Sequence, residues 1–193
     1  MLGRVMVALL AALAAGCTNL TVLQHVPFTT MSRLASFDLT KIDPTSLRVA
    51  ARLPEALVPR SEGVKVTMRA GREDERTRYD FVLVEAVEAE EVGSLLGYRK
   101  AGYKLWIYRF APADVARLTQ LRARLMAVGN SQSRASIEAN VEACRLGELP
   151  SGALLSTTLL RTDATGYFVL FDDLDLRAVI PEAELAARVP PCK

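Results

Sequence analysis

The chain is poor in the residues that most enzymes and metal sites use. It has one histidine, one tryptophan and three cysteines in 193 residues, with 6 % aromatics. With His25 as the sole histidine, a histidine-based triad or dyad would have to be assembled in the amino-terminal segment. A zinc centre normally takes four protein ligands, or three and a water, and the cysteines with one distant histidine supply them poorly. Charge of one sign is lacking too. The formal charge is +2, and the basic residues, mostly arginine, are scattered. That removes the electrostatic reason for a nucleic-acid partner. No G-x-S-x-G, P-loop, G-x-G-x-x-G or H-E-x-x-H occurs. No repeat or low-complexity tract appears, and no βαβ alternation that would mark a doubly wound fold.

What is present begins at the amino terminus. Met1 to Arg4 carries one positive charge, and Val5 to Ala15 is an uncharged run of Val, Met, Leu and Ala. A basic start followed by a roughly 7–15-residue apolar stretch is the pattern of a secretory signal. The run is shorter than the roughly 20 apolar residues needed to span a bilayer. It ends in Leu13-Ala14-Ala15-Gly16-Cys17. Small residues leading into a cysteine at that place resemble the lipobox of bacterial lipoproteins. The usual leucine three residues ahead of the cysteine is here Ala14, with Leu13 one place further out.

The resemblance covers residues 1–17. It implies that the Cys17 sulfur receives a diacylglycerol, that the signal is cut before Cys17, and that the new amine is acylated, commonly with palmitate. Each buried CH₂ adds about 0.8 kcal/mol, so two or three chains would hold the protein at a membrane almost permanently. Thr18 stands where an aspartate is an inner-membrane retention signal in many Gram-negative lipoproteins. By that resemblance the expected address is the cell envelope, at the periplasmic face of the outer membrane, and one partner is the lipid membrane itself.

If Cys17 carries lipid, Cys144 and Cys192 remain as an even pair in an oxidising compartment, and a disulfide between them is expected. It would pin the tail, Val189 to Lys193, onto the body and contribute roughly 4 kcal/mol by loop entropy. Two free thiols and a metal pair are the alternatives.

Residues 1–16 read as a removed signal, 17–45 as a lipidated tether and lead-in segment, and 46–193 as a single globular domain. In the lead-in, Leu20, Val22, Leu23, Val26 and Phe28 suit an early strand as well as a tether, and the residues admit both readings. Leu47 to Leu53 and Val64 to Met68 alternate apolar and polar positions, the pattern of half-buried strands. Gly71 to Arg78 reads as a charged connection. Tyr79 to Val87 and Tyr103 to Phe110 are apolar on both faces, as central strands are. Glu88 to Gly102, acidic and then glycine-rich, reads as a loop. Pro112 to Val128 predicts one long helix, with Val115, Leu118, Leu121, Leu125 and Val128 on one face and a stop at Gly129-Asn130. Its arginines read as solvent-facing. Strands are expected again over 137–144, 154–160 and 167–171, and a short helix over 181–188. Short connections favour antiparallel pairing. The expected fold is a β-rich α+β domain: a single antiparallel β-sandwich or curled sheet with one long helix and a short carboxy-terminal helix.

Candidate chemistry is sparse. Glu85, Glu88, Glu90 and Glu91 form an acidic run that reads as solvated. Asp172, Asp173 and Asp175 have the alternation of calcium ligands but lack the glycine turn and downstream glutamate of an EF-hand; a polar strand end is the competing reading. Trp106 and Tyr108 sit in an aromatic cluster that suits either a ligand-stacking platform or core packing. No catalytic residue, metal or cofactor is assigned. The expectation is a non-catalytic accessory or assembly protein of the envelope with another envelope protein as partner. A module for a small ligand or lipid is the alternative. A carboxylate hydrolase ranks last, since it needs two facing acids, about 5–9.5 Å apart in glycosidases.

Overall fold

The computed structural model describes residue 27 and residues 40–72, 75–86, 88–128 and 134–193. Cys17, His25, the signal and the stop at Gly129-Asn130 lie outside the described residues. Seven strands form one sheet: β1 (Arg48–Pro54), β2 (Leu57–Arg72), β3 (Glu75–Glu85), β4 (Tyr103–Phe110), β5 (Arg134–Arg145), β6 (Leu155–Thr162) and β7 (Gly166–Asp175). Their order is β5-β2-β3-β4-β1-β6-β7, every pairing antiparallel. The sheet curls into a half-barrel, so of the two expected architectures the curled sheet is the one adopted. Four helices accompany it among the described residues: α1 (Ala89–Ser94), α2 (Pro112–Val128), α3 (Leu176–Val179) and α4 (Glu182–Arg188).

Alternation along each strand divides the sheet into two unequal faces. The inner face carries Val49, Ala51 and Leu53 of β1, Val64, Val66 and Met68 of β2, Phe81 and Leu83 of β3, and Trp106, Tyr108 and Phe110 of β4. Leu118, Leu121 and Leu125 of α2 complete that core. The Phe81 and Phe110 rings meet edge to face, with centroids 5.4 Å apart, and tie β3 to β4. The helix begins where expected. Asp114 and Val115 donate their N–H groups to the Ala111 carbonyl, and Asp114 lies in the positive first turn. Not every arginine of α2 faces water: Arg122 Nε donates to the Thr40 carbonyl at 2.6 Å. Ile42 is buried in the core, so the packed body extends upstream of residue 46 to include Thr40 and Ile42.

Three other expectations change. The Gly71–Arg78 connection is mostly strand, because β2 and β3 pair as far as Arg72 and Glu75. β3 is central, but Val82 and Val84 on its outer face are each 38 % exposed, so its burial is one-sided. Glu88–Gly102 is not an open loop. It holds α1 and a 3₁₀ turn at Leu96–Tyr98 and lies as a flap on the sheet's outer face.

The tail returns to β5. Arg145 N–H donates to the Pro190 carbonyl at 2.9 Å, and Cys192 N–H donates to the Arg145 carbonyl at 3.0 Å. Beside these bonds Cys144 and Cys192 are joined as a disulfide across 48 positions of sequence.

Candidate functional site

The outer face under the flap brings charged groups together out of water. β1 turns Arg48, Ala50 and Arg52 outward. The register sets Arg48 opposite Arg109 of β4 and Arg161 of β6. Three arginines therefore lie side by side across three strands, an arrangement that like-charge repulsion disfavours unless an acid answers it.

The flap supplies that acid. Glu91 and Leu95, one helical turn apart, both face the sheet. Leu95 joins Ala50, Ala86, Ile107 and Leu159 in a small apolar cluster. Glu91, 6 % exposed, takes Arg161 Nη1 at 2.5 Å and lies 2.9 Å from Arg48 Nε. The Arg48 contact is an ion pair without hydrogen-bond geometry, since its Nε has no hydrogen-bond partner. The Tyr167 hydroxyl donates to the other Glu91 oxygen at 2.8 Å. Burial, and then that bond to a carboxylate, push the Tyr167 phenol above its ordinary pKa. Glu88 reaches Arg109 at 3.6 Å. The acidic run is thus not wholly solvated: one member is a buried latch. Its signal in the sequence is faint. Gly93 and two adjacent glutamates mask a one-turn amphipathic helix.

A second cluster forms where β7 is irregular. Asp172 and Asp173 stand between Phe171, paired with Thr158, and Leu174, paired with Ser156, so two residues face Thr157. This is a β-bulge, and Asp173 takes a φ of 43°, a left-handed conformation that aspartate tolerates. The bulge aims Asp173 Oδ1 at Arg52 Nη2, 2.6 Å away, and Lys100 Nζ lies 3.3 Å from Oδ2. Arg52 also donates to Thr157 Oγ1 at 2.7 Å and to the Tyr98 carbonyl of the flap at 3.1 Å. Burial alone would raise the Asp173 carboxyl, but hydrogen bonds from Arg52 and Lys100 hold it below the usual carboxylate range. Asp175 turns elsewhere and accepts the N–H groups of Leu154 and Arg177, capping α3. Asp172 shares Arg52 and Thr157 with Asp173, at 4.0 Å and 3.3 Å, whereas Asp175 is committed to backbone donors elsewhere. Among the described residues no group of three or more acids, histidines and cysteines is placed to hold a metal ion.

An open cleft of about 610 Å³ lies between the flap and the outer face of β1 and β4. Its lining includes Arg52, Tyr98, Arg99, Lys100, Tyr103, Leu105 and Ile107. A smaller hollow of about 370 Å³ lies on the other side of Tyr98, against Arg161 and Tyr167.

Trp106 and Tyr108 are not part of either cleft. Both point to the inner face and are buried in the main core, so the platform reading gives way to core packing. Lys104 Nζ stands 3.7 Å from the Trp106 ring centroid, while the buried indole nitrogen has no hydrogen-bond partner among the described residues. Parity put the two aromatics on one face; which face the core would take was not written locally. No protein-family model, curated protein or solved structure matches the chain. No helix among the described residues is long and apolar enough to cross a membrane.

Proposed function

We propose that the protein is a lipid-anchored, non-catalytic accessory protein of the bacterial cell envelope. It is tethered through acylated Cys17, faces the periplasm at the outer membrane, and acts by binding. The leader ending in Ala15-Gly16-Cys17 supports the anchor. The flap-covered face supports the mode of action. Its carboxylates are engaged with cations: Glu91 with Arg48 and Arg161, Asp173 with Arg52 and Lys100. Such groups shape and charge a surface; an acid–base catalyst needs a carboxyl poised to exchange its proton.

A partner in the envelope would meet the exposed side of the flap, where Leu96 is 57 % exposed. The test pairs two measurements in the native host. The intact mass of the mature protein should begin at Cys17 with added acyl chains, and Cys17→Ser should release the protein from membranes. A photo-crosslinker at position 96 should capture one defined envelope protein, and the adduct should disappear with Cys17→Ser. A mature chain that starts elsewhere, or carries no acyl group, removes the proposed address.

A second reading, a module for a small ligand, is favoured by one observation. The cleft volume of about 610 Å³ falls within the roughly 300–1,000 Å³ typical of small-molecule sites.

A further inference from the structure

We infer that this cleft is a site for a small anionic amphiphile, a carboxylate or phosphate head on an apolar body, taken up as a free molecule. The inference rests on the small-ligand reading and names its ligand class.

The lining has two kinds of surface. Leu105 and Ile107, the outward residues of β4, form an apolar floor, and the rings of Tyr98 and Tyr103 stand beside it. Around them are three cations, Arg52, Arg99 and Lys100, against one carboxylate, Glu55, while Lys104 turns its ammonium to the Trp106 ring on the opposite face. Asp173 and Asp172 stand behind Arg52, outside the lining, so the groups that line the cleft remain net positive. That sign selects an anion, and the floor selects one with an apolar body.

Arg52 is the preorganised element. Its side chain is only 11 % exposed and is held by Asp173, Thr157 and the Tyr98 carbonyl. Its Nε is buried without a hydrogen-bond partner. A guanidinium fixed in this way loses little freedom on meeting a planar carboxylate or a phosphate. Lys100 is the exchangeable element. It is exposed, and its contact to Asp173, at 3.3 Å, is the longer of that residue's two close ion pairs. Arg99, exposed beside it, completes a head-group corner.

The test uses the full mature chain carrying Cys17→Ser, so that its own acyl chains do not compete. Decanoate, decyl phosphate and decyltrimethylammonium are titrated below their micelle concentrations by calorimetry, with phosphatidylglycerol vesicles as a separate arm. Both free anions should bind one per chain, and amide signals of Leu105 and Ile107 should shift. Arg99→Ala with Lys100→Ala should weaken binding by about tenfold, the scale of a lost charge-assisted hydrogen bond. If the double variant melts early, Arg99→Ala alone is compared and should still bind measurably more weakly than the parent. Binding to vesicles only, or affinity indifferent to these variants, overturns the inference. A cleft that takes the cationic probe and not the anions refutes the ligand class but leaves a small-ligand site. A cleft that takes no probe refutes both.

Discussion

Replacing Glu91 with alanine tests the outer-face latch most directly. The side chain is nearly buried, and its removal leaves Arg48 and Arg161 facing each other across adjacent strands without an acid between them. Removing one partner of a buried ion pair costs roughly 3–5 kcal/mol. Two features favour the lower end. Arg161 is about one-third exposed and can swing into water, and Arg48 keeps its bonds to the Thr45 and Leu47 carbonyls. The expected loss is therefore about 3 kcal/mol, or roughly 6–12 °C in melting temperature for a chain of this size. Thermal unfolding followed by circular dichroism measures it. Hydrogen exchange locates it. The amides of Leu95 and Tyr98, bonded within the flap, should exchange faster, while those of β1 and β4 change little. Glu91→Gln keeps the shape and one acceptor, and should lie between parent and alanine variant. A melting temperature within about 2 °C of the parent for Glu91→Ala, with flap exchange unchanged, would return Glu91 to the solvated run and sink the latch.

Reduction of the mature protein should lower its stability by roughly 4 kcal/mol, the loop-entropy value for the 48-residue separation of Cys144 and Cys192; two alkylatable thiols in the unreduced protein would contradict the pairing. Asp173 sets an acid limit. Its carboxyl is held low by Arg52 and Lys100, so its contribution is present above the ordinary value of about 3.9 and is lost as pH falls through the lowered one. Asp173→Asn, which still tolerates the left-handed backbone, should flatten the acid limb of a melting-temperature profile below pH about 4; an unaltered limb refutes the assignment. Leu159→Ala empties the centre of the outer cluster and should cost about 2–5 kcal/mol by urea unfolding, and a neutral result would mean that the cluster is not packed. Gly63→Ala should destabilise the irregular β2–β5 pairing, because a Cβ there would meet the Glu142 carbonyl oxygen at 2.8 Å, and a stabilised variant would show that the backbone can give way.

The parts legible in the sequence are those whose signal is local. Val64, Val66 and Met68 alternate with Lys65 and Thr67, and one face of that strand is buried, so period two was enough. The long helix announced itself through Leu118, Leu121 and Leu125, with Pro112 at its start. The short connections gave antiparallel pairing, though not the strand order, which depends on partners far apart in the chain. Glu91 shows the limit. Its environment is made by Arg48, Arg161 and Tyr167, on three strands it does not neighbour in sequence. Nothing within the acidic run distinguishes it from Glu90. Asp173 was hidden differently: the bulge breaks the alternation that any strand reading of 172–175 relies on.

The two faces of the sheet are stabilised by different means, and this bears on where the molecule can respond to a ligand. The inner face is closed by α2 over a large apolar core, which leaves little room for change without loss of packing. The outer face buries a cluster of five residues, so the flap depends heavily on Glu91, Glu88 and the Arg52 bond to the Tyr98 carbonyl. Segments with few buried apolar contacts open at lower free energy than the core. The cleft lies along that segment, and Tyr98 contributes both its carbonyl to Arg52 and its side to the cleft. An anion drawn to Arg52 therefore acts on the same guanidinium that holds the flap. Occupancy of the cleft and closure of the flap are coupled through one residue, and the sign of that coupling is readable as slower or faster exchange at the Tyr98 amide when ligand is added.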